Sequence, residues 1–88
     1  MEITKSLKAL VQLKAAQYNY FTDYAANSND EYAGEQVHDL DNEIRGIKEC
    51  IEALTGKDCT IDYMPIEDGY FDMMITKITV DTTVLYNR

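Results

Sequence analysis

The 88-residue chain contains no tryptophan, one proline, one histidine and two cysteines, and each scarcity closes off a class of protein. The one histidine, His38, lies twelve residues from Cys50, about 18 Å along a shared helix, so no nucleophile and base stand together for a cysteine hydrolase. Cys50 and Cys59 have neither the Cys-x-x-Cys spacing of a zinc site nor the density of a secreted disulfide scaffold. Reduced, partly buried thiols are therefore expected, with a disulfide clamping the end of the second helix as the alternative. No stretch approaches the roughly 18 apolar residues of a membrane span. The start, Met1-Glu2-Ile3-Thr4-Lys5-Ser6, lacks the cationic and apolar runs of a signal peptide, so a cytoplasmic protein is expected. Cations are also scarce. Eight Lys and Arg against sixteen Asp and Glu give a formal charge of -8, which argues against direct binding to nucleic acid or an anionic membrane. The length allows one domain with a modest core and little room for a deep catalytic cleft.

With 45% hydrophobic residues and no low-complexity tract, the chain belongs to the folded globular class. A first amphipathic helix is expected over residues 4–27, with Leu7, Leu10, Val11, Lys14, Tyr18, Phe21 and Ala25 on its main stripe. A second apolar line, Leu13, Ala16, Tyr20 and Tyr24, widens this face beyond what one neighbouring helix covers, so part of it should meet something else. Polar residues 27–30 then reverse the chain, and a second helix is expected over residues 31–55. Its Ala33, Val37, Leu40, Ile44, Ile47, Ile51 and Leu54 alternate in steps of four and three, a heptad seam that is the strongest pattern in the sequence. Gly46 falls outside that seam and reads as tolerated on the outer face, while Gly56 reads as the C-terminal cap.

Beyond Lys57 the residues become β-branched and aromatic, and strands are expected over residues 59–64, 70–80 and 83–87. Glu67-Asp68-Gly69 supplies a hairpin turn, and Pro65 marks an edge or strand end. In the second strand Phe71, Met73 and Ile75 share one parity but Ile78 and Val80 the other, which predicts a bulge or break near Thr76 and Lys77. The fold class is therefore α+β: an antiparallel helical hairpin packed on a small two- or three-stranded antiparallel sheet.

Charge is unevenly distributed. Residues 1–29 and 73–88 each sum to +1, while residues 30–72 hold thirteen acids against Arg45, Lys48 and Lys57, a net -10. Glu35, Asp39 and Glu43 recur every four residues off the heptad seam, about 6 Å apart, and Asp62, Glu67, Asp68 and Asp72 cluster around the hairpin turn. A 6 Å repeat loosely matches successive phosphates, so this surface is suited to the basic groove of a protein that handles nucleic acid. The blander reading is a solvated face that keeps a small protein in solution. The Asp68-Gly69 turn lacks the alternating ligands and distal Glu of a calcium loop. The Glu35-x-x-His38 spacing resembles that of di-iron bundle ligands, but both residues fall outside the seam where such ligands project. No metal, cofactor or catalytic residue is expected.

Five of the nine aromatic residues, Tyr18, Tyr20, Phe21, Tyr24 and Tyr32, fall within fifteen positions around the helix–helix turn. Tyr18 and Phe21 belong to the core stripe; Tyr20, Tyr24 and Tyr32 flank it, where half-exposed tyrosine can serve as an interface anchor or cap the core. Together these features point to a small non-enzymatic protein that binds and inhibits or modulates a basic partner through Glu35, Asp39, Glu43, Asp62, Glu67, Asp68, Asp72, Tyr20, Tyr24 and Tyr32. In size and acidity it resembles the small phage-encoded inhibitors of bacterial defence, the anti-restriction and anti-CRISPR proteins; the likeness is one of overall profile and covers no motif. The alternative is a self-associating structural or adaptor module, with a homodimer formed through the second line of the first helix.

Overall fold

The computed structural model describes residues 4–28, 31–65 and 73–88. Its elements are α1 (Lys5–Ser28), α2 (Glu31–Thr55), β1 (Cys59–Pro65), β2 (Met73–Val80) and β3 (Thr83–Asn87). The strands form an antiparallel sheet in the order β1-β2-β3, with the two helices packed against it. This is the expected α+β arrangement. The expected turn at Glu67-Asp68-Gly69 and the start of the second strand at residues 70–72 lie outside the described residues.

Local chemistry accounts for the boundaries. Thr4 caps α1, its Oγ1 accepting from the Leu7 N–H at 3.1 Å. Gly56 ends α2 with φ +67, and its N–H donates to the Glu52 carbonyl at 2.9 Å. At the β2–β3 turn Val80 pairs with Thr83, leaving a two-residue loop. Asp81 takes φ 54 there, a left-handed conformation that Asp tolerates better than most residues.

The heptad seam of α2 forms its inner face: Ala33, Leu40, Ile44 and Ile51 are buried, and Val37 and Ile47 pack against them. They meet Val11, Ala15 and Tyr18 of α1 and Ile75, Ile78, Val80 and Leu85 of the sheet. Ile51, Ile75 and Leu85 are the largest fully buried side chains, each contributing about 1.5–3 kcal/mol through burial.

The buried side of α1 is turned from the expected stripe. Val11, Ala15, Tyr18, Asn19 and Thr22 face inward, whereas Leu10 is 39% exposed and Phe21 is only half-buried. Ala15 and Thr22 are small, which lets the α1 backbone approach its neighbours, and the bulkier Leu10 and Tyr20 are left outside. The expected second line of α1 is exposed along its length, from Leu13 through Ala16 and Tyr20 to Tyr24. At the far end of the α2 seam Leu54 is also exposed.

The predicted irregularity of β2 is present. Asp62 pairs with Lys77 and Tyr63 with Ile75, so Thr76 is the extra residue of a bulge. Its backbone carbonyl accepts from Arg88 N–H at 2.8 Å, and its hydroxyl donates to the Asp62 carbonyl at 3.2 Å. The bulge explains why Ile75 and the even-numbered Ile78 and Val80 are all buried. Met73, expected on the same face as Ile75, is instead 38% exposed, and its neighbour Met74 is buried. A second irregularity, between the pairs Ile78–Tyr86 and Thr79–Val84, leaves Leu85 unpaired in the ladder and fully buried.

Candidate interaction surface

A spacing of four residues on an α-helix advances about 400°, so a row at i, i+4, i+8 winds about 40° per step around the axis. That winding divides the acidic row of α2. Glu35 and Asp39 remain on the outer face with Glu31 and Glu49; all four are exposed, and no ion pair is formed by any of them among the described residues. Glu43 has rotated to the side of α1, where its carboxylate meets Lys14 Nζ at 2.7 Å. The pair is half open to solvent and contributes at most about 1 kcal/mol. It also partly neutralises the last member of the row.

Asp41 and Glu52 are similarly engaged, with Arg45 at 3.1 Å and Lys48 at 3.3 Å, each four residues away on α2. Glu52 has a second role. Its Oε2 accepts from the Cys59 N–H at 3.0 Å, joining the end of α2 to the first residue of β1. That hydrogen bond, assisted by Lys48, holds its carboxyl below the usual carboxylate range despite partial desolvation.

Asp62 stands apart from the row. Its neighbour Ile61 packs against the core, so strand alternation turns Asp62 to the outer face of the sheet, away from the helices. The structure therefore does not bring Asp62 onto the surface that carries Glu35 and Asp39. Glu67, Asp68 and Asp72 lie outside the described residues.

The tyrosines gather as the sequence suggested, on two helices. The Tyr20 and Tyr24 rings stack with centroids 6.5 Å apart, Tyr20 meets Phe21 edge-on at 5.3 Å, and Phe21 meets Tyr32 edge-on at 6.5 Å. Tyr32 is 62% exposed and lies next to Glu31 in the first turn of α2. Tyr20 and Tyr24 lie on the outside of α1 and point away from its buried face.

An open groove separates α2 from the β1–β2 hairpin, lined by Thr22, Val37, His38, Asp41, Arg45 and Tyr63 among others. Burial raises the Tyr63 phenol above its ordinary pKa, and the Asp41 charge adds to this. Thr22 is buried, and its hydroxyl has no hydrogen-bond partner among the described residues. His38 is exposed, as is Glu35, and no group of three or more His, Cys, Asp or Glu among the described residues is placed to hold a metal ion. Both thiols are free: Cys59 is buried and Cys50 exposed, so the disulfide alternative does not hold. No described helix is long and apolar enough to cross a membrane.

Two relationships escaped the sequence reading: the clasp of Glu52 on Cys59, and the contact of Asn19 with Ile75 in β2. Neither has a spacing signature, since each joins a helix to a strand across a turn or across most of the chain. No family model matches the chain, and neither the curated proteins nor the solved structures contain a significant match.

Proposed function

We propose that this protein acts by binding rather than catalysis, presenting the outer face of α2 to a basic partner protein and thereby inhibiting or modulating it. One observation supports this reading above the others. Glu31, Glu35, Asp39 and Glu49 are exposed on one side of a 25-residue helix, unopposed by a described ion pair, while the α2 cations Arg45 and Lys48 are engaged by Asp41 and Glu52. The negative potential of the helix is thereby concentrated on the side turned from the core, where it can steer a cationic partner. Tyr32, at the same end of the helix as Glu31 and Glu35, supplies an aromatic anchor beside the charge.

A partner that normally holds nucleic acid has the cationic groove this surface fits, and the phage-type inhibitors of bacterial defence named above are examples of such a role. Exclusion of nucleic acid from that groove would be the mode of inhibition. The test is capture of partners from a lysate of the source cells on immobilised protein, at low and high salt and with added polynucleotide. The reading predicts a basic protein that is retained at low salt, released as ionic strength rises, and displaced by DNA or RNA. Capture that is indifferent to both salt and polynucleotide counts against it and favours the self-associating adaptor.

A further inference from the structure

Thr22 lines the groove between α2 and the β1–β2 hairpin from the α1 side. It is 2% exposed, and its hydroxyl is the one buried side-chain polar atom without a hydrogen-bond partner among the described residues. Buried polar groups are nearly always hydrogen-bonded, so an orphan beside an open groove calls for a partner from outside. The groove has room for one, at about 440 Å³. Val37 and Met73 line it with apolar surface and Tyr63 with an aromatic ring. It opens at Gly34 and His38, which also border the hollow formed by Glu31, Glu35 and Asp39 on the outer face of α2. A Cβ added at Gly34 would meet nothing within 4 Å, so the mouth is clear there.

We infer that this groove takes an arginine side chain of the basic partner, its guanidinium hydrogen-bonded to Asp41 and Thr22 and its stem against Val37 and Met73. The inference rests on the proposal that α2 faces a basic partner, and it names the group that enters beside the acidic face. The sign of the charge follows from exposure. Arg45 Nε meets Asp41 Oδ2 at 3.1 Å, but the Arg45 side chain is 69% exposed and the Asp41 side chain 24%. Water screens the cation more than the acid, which leaves the groove with the Asp41 charge. Tyr63 registers the same imbalance, since Asp41 raises its phenol pKa by more than Arg45 lowers it. A carboxylate has about four acceptor positions, so Asp41 can hold Arg45 and a second guanidinium together. An anion would meet Asp41 without an unscreened cation to receive it, in a protein of formal charge -8. Arginine suits the slot better than lysine. Its planar head is weakly hydrated, stacks on a ring such as that of Tyr63, and carries enough donors for Asp41 and the Thr22 hydroxyl at once.

Nα-acetyl-arginine methylamide, titrated into the isotopically labelled full chain and followed by NMR, tests this. Saturable shifts are expected at the Thr22, Val37 and Met73 methyl groups, with a Kd of about 1 mM for so small a probe. The citrulline analogue, alike in shape but uncharged, should bind at least about tenfold more weakly. Thr22→Val keeps the shape and removes the orphan hydroxyl, so it should fold at least as well as the wild type yet bind about tenfold more weakly. Gly34→Leu narrows the mouth from an exposed position and should block the probe, with helix content unchanged by circular dichroism. Shifts confined to Glu35 and Asp39, equal binding of the citrulline analogue, or full affinity in Thr22→Val would overturn the inference. Lysate capture with the same variants separates it from the proposed function. Capture of a basic protein that Thr22→Val and Gly34→Leu leave unchanged overturns the inference and spares that function; probe binding in the groove with no basic protein captured does the reverse.

Discussion

The Asn19 carboxamide grips the backbone of Ile75 at both ends: its Nδ2 donates to the Ile75 carbonyl at 2.8 Å and its Oδ1 accepts from the Ile75 N–H at 2.7 Å. The same Nδ2 also donates to the Tyr86 hydroxyl at 3.0 Å. Ile75 lies beyond Lys77, the last β2 residue paired with β3, so the helix side chain supplies the partners that a longer β3 would have given. One buried polar residue thus fixes α1 against two strands. Replacing Asn19 by Ala or Leu leaves a buried N–H and a buried carbonyl without partners, each worth about 1–3 kcal/mol. A loss of about 2–4 kcal/mol in urea unfolding is expected, and a change below about 1 kcal/mol would show that the contact is replaceable.

Glu52 gives a pH dependence of known sign. Its folded pKa is lowered, first by the Cys59 N–H and also by Lys48, so its contribution to stability is present when the carboxylate is ionised in both states. That contribution disappears as pH falls through the lowered folded value. Glu52→Gln keeps an acceptor for the Cys59 N–H but loses the charge. The variant should be less stable than wild type near neutral pH, and the gap should close in acid below the ordinary carboxylate range. Parallel stability curves across the acid limb would contradict this.

Gly46 sits in mid-helix, where a Cβ would meet nothing within 4 Å. Gly46→Ala should therefore add up to about 1 kcal/mol through helix propensity alone, read as a raised Tm. A lowered Tm would mean that something covers this position.

The two thiols should react differently. Cys50 is exposed on α2, whereas burial, reinforced by the negative charge of Glu52, pushes the Cys59 thiol above its ordinary pKa. Iodoacetamide at neutral pH should add one equivalent, on Cys50, and reach Cys59 only in denaturant. Mass spectrometry of the native and unfolded protein distinguishes the sites.

Elements with a repeating pattern could be read from the sequence. The α2 seam, the Gly56 cap and the Thr76 bulge are each written in the spacing of apolar residues or in a single backbone-permissive one. The inner face of α1 was harder to read, because Ala15, Asn19 and Thr22 carry little or no hydrophobic signal, and exposed Leu10 carries more than any of them. The acidic row was legible as a row but not as a surface. Glu43 leaves the row because four residues exceed one helical turn, and Asp62, expected in the cluster around the hairpin turn, lies off the surface of Glu35 and Asp39 because a strand alternates faces. Spacing locates charges along an element, and only the packing of that element against its neighbours decides which charges share a side.

The central claim concerns the outer side of α2, and partner capture with charge-reversed variants tests it most directly. The double substitution Glu35→Lys with Asp39→Lys is compared with Asp62→Lys, using the same low-salt capture and a circular dichroism control. The account predicts that the helix variant loses its basic partner while the Asp62 variant retains it. Equal retention by both, or loss through Asp62→Lys alone, would contradict the claim.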